Sequence, residues 1–209
     1  MQVRLFDPPP PERREDVDAP EEYDVIYCDP PWDYDGRTFL DGKVNKTGSA
    51  SSHYPTMTYS QLKSLNVKGV CKDKTILYMW TTGPQLDVAV DLLRAWGFRY
   101  KTIAFVWHKE RTNPGYYTMS QCELCIVGTR GGRPLPRGST NQRQFHMEPR
   151  THHSAKPEEF RLRINAMHPE ADKLEMFARS AADGWWAWGL DAEQCAYLPK
   201  LNPEMYLPW

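Results

Sequence analysis

Ten residues near the start of the chain, Tyr23 to Trp32 (YDVIYCDPPW), limit the fold more than any others. Val25, Ile26, Tyr27 and Cys28 read as a short, fully buried strand, since β-branched and aromatic side chains suit a pleated surface. Asp29-Pro30-Pro31-Trp32 then stops it. Proline removes a backbone donor and holds the residue before it in an extended conformation. The Asp29 carboxylate and the Pro30 carbonyl are therefore expected to stand, stiffly held, at the carboxyl end of a strand. In an open α/β sheet that edge is where ligands bind. On these residues alone, a strand closing in a Pro-rich turn with a surface tryptophan is an equal alternative.

The order of the remaining elements supports such a sheet. The 209 residues suffice for one well-packed domain. Residues 1–20 are rich in proline and charge and read as an extended or disordered tail, with a single domain over 21–209. A long polar stretch follows the first strand. TYSQLKSLN then opens a helix, with Thr58 and Gln61 spaced as a capping box. KTILYMW is a strand. GPQLDVAVDLLRAWG is a helix with Pro84 in its first turn and Gly97 past its end. Leu86, Val90, Leu93 and Gly97 form its expected inner face, flanked by Val88 and Leu92.

FRYKTIAFVWHK and QCELCIVGTR are further strands, joined by a loop, ERTNPGYYTMS. A second polar loop runs from Gly131 to Lys156, followed by a helix from Pro157 to about Met167. DKLEMFAR and GWWAWGL close the series. Strands alternating with helices predict an α/β fold with a mostly parallel sheet and helices on both faces.

Composition removes several classes. The formal net charge is −1, so nothing global advertises nucleic acid or an anionic membrane. No apolar run reaches membrane-spanning length, and the start lacks a basic-then-apolar signal, so a soluble, cytoplasmic protein is expected. The five cysteines show no disulfide spacing. Cys122 and Cys125 form a CxxC, but three residues apart on a strand they point to opposite faces, so no metal site is expected.

DPPW after an apolar strand, YPTMTYSQLKSL, LYMWTTGPQLDVAVDLLRAWGF, VWHK, CELCIVGTRG, HSAKPEEF and KLEMFARSAADGWWAWG occur in an order that resembles one family closely. It is the MT-A70-like adenine methyltransferases, named after the catalytic subunit of the eukaryotic messenger-RNA adenosine methyltransferase. In size the chain is most similar to bacterial and phage members. The resemblance spans about Tyr23 to Asp191. It implies a Rossmann-like methyltransferase fold using S-adenosylmethionine, with permuted motif order, the catalytic motif preceding the cofactor strand.

The implied chemistry suits the residues. The exocyclic amine of adenine is a poor nucleophile because its lone pair is delocalised into the ring. Asp29 and the Pro30 carbonyl, stiffened by Pro31, form an acceptor pair that turns this lone pair out towards a sulfonium methyl. Positioning and electrostatics then supply the catalysis. Trp32 is expected to stack on a base taken out of its helix. By resemblance, Lys156 and Arg179 are cofactor contacts, with Cys28, Asp29 and Asp191 on the same side. Tyr54 belongs to a loop closing over the target base, and Lys109 is a substrate-side cation. SAADG, following Arg179, departs from the His and Asn of better-known members.

Between Thr129 and Arg163 the sequence holds eight Arg or Lys against three acids. Arg133, Arg137 and Arg143 are the expected phosphate contacts within this run. DNA is favoured over RNA as the partner, in keeping with the small size. An RNA adenosine methyltransferase and an inactive nucleic-acid-binding partner subunit are the alternatives, with a homodimer or a heterodimer equally open.

Overall fold

The protein is described from a computed structural model covering residues 19–33, 56–113, 115, 117–132, 135–151, 155–180, 182–189 and 201. Its strands are β1 (Tyr23–Cys28), β2 (Cys71–Thr81), β3 (Arg99–Asn113), β4 (Ser120–Arg130), β5 (Phe145–Met147), β6 (Lys173–Met176) and β7 (Trp186–Trp188). They form one sheet in the order β5-β3-β4-β2-β1-β6-β7. β1 pairs in parallel with β2 and β6, β6 with β7, and β3 with β5. β4 alone runs the other way, antiparallel to β2 and β3. The expectation of a mostly parallel sheet holds, and the last strands among the described residues return to lie beside the first.

The helices are α1 (Tyr59–Ser64), α2 (Leu86–Ala95) and α3 (Glu158–Met167). α1 starts as its sequence predicts. Thr58 caps the Gln61 N–H, and the Gln61 side chain accepts from the Thr58 N–H at 2.8 Å. Alternation along the strands divides the core into two layers. Ile26, Leu77, Met79 and Leu174 pack with Leu62 of α1 and Ala89, Leu92 and Leu93 of α2. Val25, Tyr27, Tyr78 and Trp80 pack on the other face with Phe160 and Ile164 of α3. No helix among the described residues is long and apolar enough to cross a membrane.

Three expectations change. The inner face of α2 is centred on Ala89, Leu92 and Leu93, while Leu86, Val88 and Val90 are only partly buried. Gly128 of β4 explains the seating: a Cβ there would stand 2.8 Å from the methyl carbons of Leu93, so the missing side chain admits the leucine. β3 continues through Asn113, taking in ERTN, and pairs with Ser120. The polar stretch after Gly131 likewise contains a strand, β5, hydrogen-bonded to Val106–His108.

Candidate active site

β1 delivers Asp29 to the carboxyl edge of the sheet, where three hydrogen bonds fasten the turn that follows. The Trp32 N–H donates to the Pro30 carbonyl at 2.7 Å, and the Met57 N–H donates to the Pro31 carbonyl at 2.8 Å. The Trp32 indole N–H donates to the Trp80 carbonyl at 3.2 Å, tying the turn to β2. A carbonyl has two lone pairs, so Pro30 retains acceptor capacity beyond its bond to Trp32. Trp32, expected from the sequence to stack on a base, is 5% exposed and lies in the core with Met57, where its indole pins the turn to β2.

Behind the turn, Lys156, Glu123 and Lys109 join Asp29 in one chain of ion pairs. The Lys156 ammonium bonds Asp29 Oδ2 and lies 3.2 Å from Glu123 Oε2. Lys109 approaches Glu123 Oε1 to 3.0 Å. The Lys156 nitrogen also stands 5.6 Å from the Trp80 ring centre, a cation over an aromatic face. The Trp80 N–H in turn donates to the Tyr27 hydroxyl at 2.7 Å. Two anions and two cations leave the group neutral, which is what permits its burial.

Burial pushes the Asp29 carboxyl above its ordinary range, against the pull of Lys156. For Glu123 burial acts in the same sense, but the Lys156 and Lys109 ammoniums outweigh it and hold its carboxyl low. Burial disfavours the charged Lys156, yet Asp29 and Glu123 prevail and raise it. The two carboxyls are thus shifted in opposite directions, Asp29 upward by burial and Glu123 downward by its two lysines.

Several expected site residues are placed differently from the sequence-based expectation. Lys109, expected as a substrate-side cation, is 6% exposed and paired with Glu123. Lys156 faces Asp29 first. The Cys28 side chain packs in the core, and burial raises its thiol well above the usual value, so only its backbone borders the site. Arg179 is exposed just past β6, near enough for its charge to act on Asp29. Of the basic run, Arg163 pairs with Glu159 and donates to the Arg143 carbonyl, while Arg161 pairs with Glu175. Arg137 stands by the end of α3, whose last carbonyls accept from Gly138 and Ser139, at the sheet edge opposite Asp29. Arg143 is exposed beside β3. Tyr54, Arg133 and Asp191 lie outside the described residues.

Glu123 is the site residue that sequence reasoning missed. Its signal was an acid within an otherwise apolar strand, a placement that requires a paired cation.

The edge beside Asp29 also fits an amino-acid-bearing, positively charged methyl donor. Arg179 offers a cation for a carboxylate and Asp29 an anion for a sulfonium. The backbone between them is unusual: Phe177 has φ +61°. A Cβ on Gly189 would collide with the Ala178 carbonyl, so β7 closes against the loop after β6 only because that residue is glycine.

The sequence model described as MT-A70 matches residues 23–191. The type II methyltransferase M.MunI of a Mycoplasma species is 44% identical over 182 residues, covering 82% of this chain and 78% of that protein. The human N(6)-adenosine-methyltransferase catalytic subunit METTL3 is 26% identical, over 78% of this chain and 27% of its own length. Human N(6)-adenine-specific methyltransferase METTL4 is 24% identical, over 80% and 37%. The chain thus spans most of the Mycoplasma protein but about a third or less of the human ones. With the fold, the DPPW turn and these matches agreeing over the same residues, the chain belongs to the MT-A70 family of methyltransferases.

Proposed function

We propose that the protein transfers a methyl group from S-adenosylmethionine to the N6 amine of adenine in DNA. The observation that carries this is Asp29, fixed by Lys156 at the carboxyl end of β1 beside the Pro30 carbonyl. Bound at this edge, the donor supplies a methyl group already activated by the positive charge on its sulfur. The protein's task is to aim the amine. Asp29 and the Pro30 carbonyl accept its two hydrogens, which draws the nitrogen lone pair out of conjugation and towards the donor. Lys156 holds Oδ2, so the carboxylate cannot rotate, and burial keeps it basic. That basicity makes Asp29 the acceptor for the proton the amine sheds once it is methylated. The electrostatic work is preorganised, because the ion pairs are in place before substrate arrives.

DNA as the substrate draws support from the similarity to the type II methyltransferase M.MunI of a Mycoplasma species. The test is incubation with labelled S-adenosylmethionine and duplex DNA, single-stranded DNA or RNA, followed by nucleoside analysis. N6-methyldeoxyadenosine is the expected product. Label on RNA alone overturns the choice of DNA, and label on no nucleic acid overturns the activity.

A further inference from the structure

The β3–β4 hairpin does more than complete the sheet. β2 ends at Thr81, opposite Leu124, so Ser120–Glu123 continue past it and pair only with β3. A strand advances about 3.3 Å per residue, which puts Ser120 roughly 10 Å beyond Glu123 and the turn farther still. The ribbon therefore overhangs the Asp29 edge. On the β3 side its register slips between His108 and Asn113, where Glu110 takes φ +60°. Such bulges bend a ribbon and re-aim its end.

At that end stand Tyr117, 93% exposed, and Met119, 57% exposed. Tyr117 is the most exposed large apolar side chain among the described residues. Neither contributes to the core, and a solvated turn is equally served by polar residues. Arg111, on the bulge, and Arg150, which donates to Asn113 Oδ1 at 3.4 Å, are both exposed beside the ribbon. An apolar tip flanked by cations, standing over a site that must take one base out of its stack, matches the way proteins prise duplexes open. Apolar side chains enter the base stack while cations hold the phosphates.

We propose that Tyr117, backed by Met119, inserts into the duplex next to the target adenine and occupies the space the base leaves. This rests on the reading of DNA as the substrate. Chemistry and wedge separate cleanly, because single-stranded DNA needs the first and not the second.

The experiment compares the parent with Tyr117→Ala and with the Tyr117→Ala/Met119→Ala pair, on long unmodified duplex DNA and on the same DNA as single strands. The duplex kcat/KM is expected to fall roughly tenfold or more, since the unstacked step is no longer refilled. The single-strand value is expected to stay within about twofold of the parent's, and Tyr117→Trp to keep duplex activity. Once the modified adenine is mapped, an abasic site opposite it should restore the variants. That arm decides the matter if the parent ignores single strands. Unchanged duplex activity, or equal losses on both substrates, overturns the wedge while leaving the methyltransferase reading intact. A loss on every substrate with a lower mass by light scattering makes the tip a contact between copies of the chain, and also overturns it. A parent that methylates no DNA removes the reading and the wedge together.

Discussion

Lys156→Met should move the acid limb of the rate–pH profile upward by about 1–2 units. Methionine keeps most of the side chain's length and removes the ammonium, with its charge and its hydrogen-bond donors. Breaking one side of a buried ion pair costs about 3–5 kcal/mol, because the partner is left charged and unpaired. Here that loss is shared. Glu123 keeps Lys109 at 3.0 Å, and Asp29 retains 29% exposure of its side chain, so water recovers part of its solvation. Roughly half falls on Asp29, and about 1.4 kcal/mol corresponds to one pKa unit. The sign follows from the charge. Burial already raises Asp29, Lys156 opposes it, and without the lysine the carboxyl rises further. Activity needs the ionised acid, so it is lost at a higher pH as pH falls. The measurement is initial methyl-transfer rate against pH at saturating donor and DNA, with circular dichroism to show that the variant is folded. Lys156→Arg should keep the parent's limb. A folded Lys156→Met variant whose acid limb stays put, or moves down, refutes the idea that Lys156 tunes Asp29.

Asp29→Asn should lower kcat by roughly 10²–10³-fold, the scale of one missing transition-state hydrogen bond, and Asp29→Ala should abolish turnover in a radiolabel assay. Trp32→Ala should cost about 3–5 kcal/mol in denaturant unfolding because it empties a core position; Trp32→Phe should cost about 1 kcal/mol for the lost bond to the Trp80 carbonyl. Replacing Arg111, Arg143 and Arg150 with Ala should flatten the salt dependence of DNA binding by about one unit of slope for each phosphate no longer neutralised. Arg137→Ala, at the far edge, should leave that slope unchanged.

The parts of the fold legible in the sequence were those where burial selects residue type. β1, α2 and the Asp29 turn announce themselves through apolar spacing, prolines and a terminal glycine. The outer end of β3 did not, because Glu110–Asn113 form a ribbon open to water, where a strand carries the same polar residues as a loop. The basic run is only partly legible for a related reason. Charge counted along the chain says nothing of pairing, and Arg161, Arg163 and Lys156 turn inward to acids supplied by other elements or by the preceding turn of α3. Trp32 was read from its chemistry as a surface for bases, whereas its neighbours Met57 and Trp80 come from segments that only the sheet brings together.

The reversal of β4 has a consequence for how such a protein can diverge. Its pairing with β2 locks seven successive positions, from Thr75 opposite Arg130 to Thr81 opposite Leu124. Glu123 is the next residue outward, so its place is set from below, by the locked ladder. Residues inserted or removed at the hairpin turn therefore alter only how far the ribbon extends. Across descendants of one ancestor, reach over the substrate can vary as an independent trait, while the ion pairs that aim Asp29 are inherited unchanged.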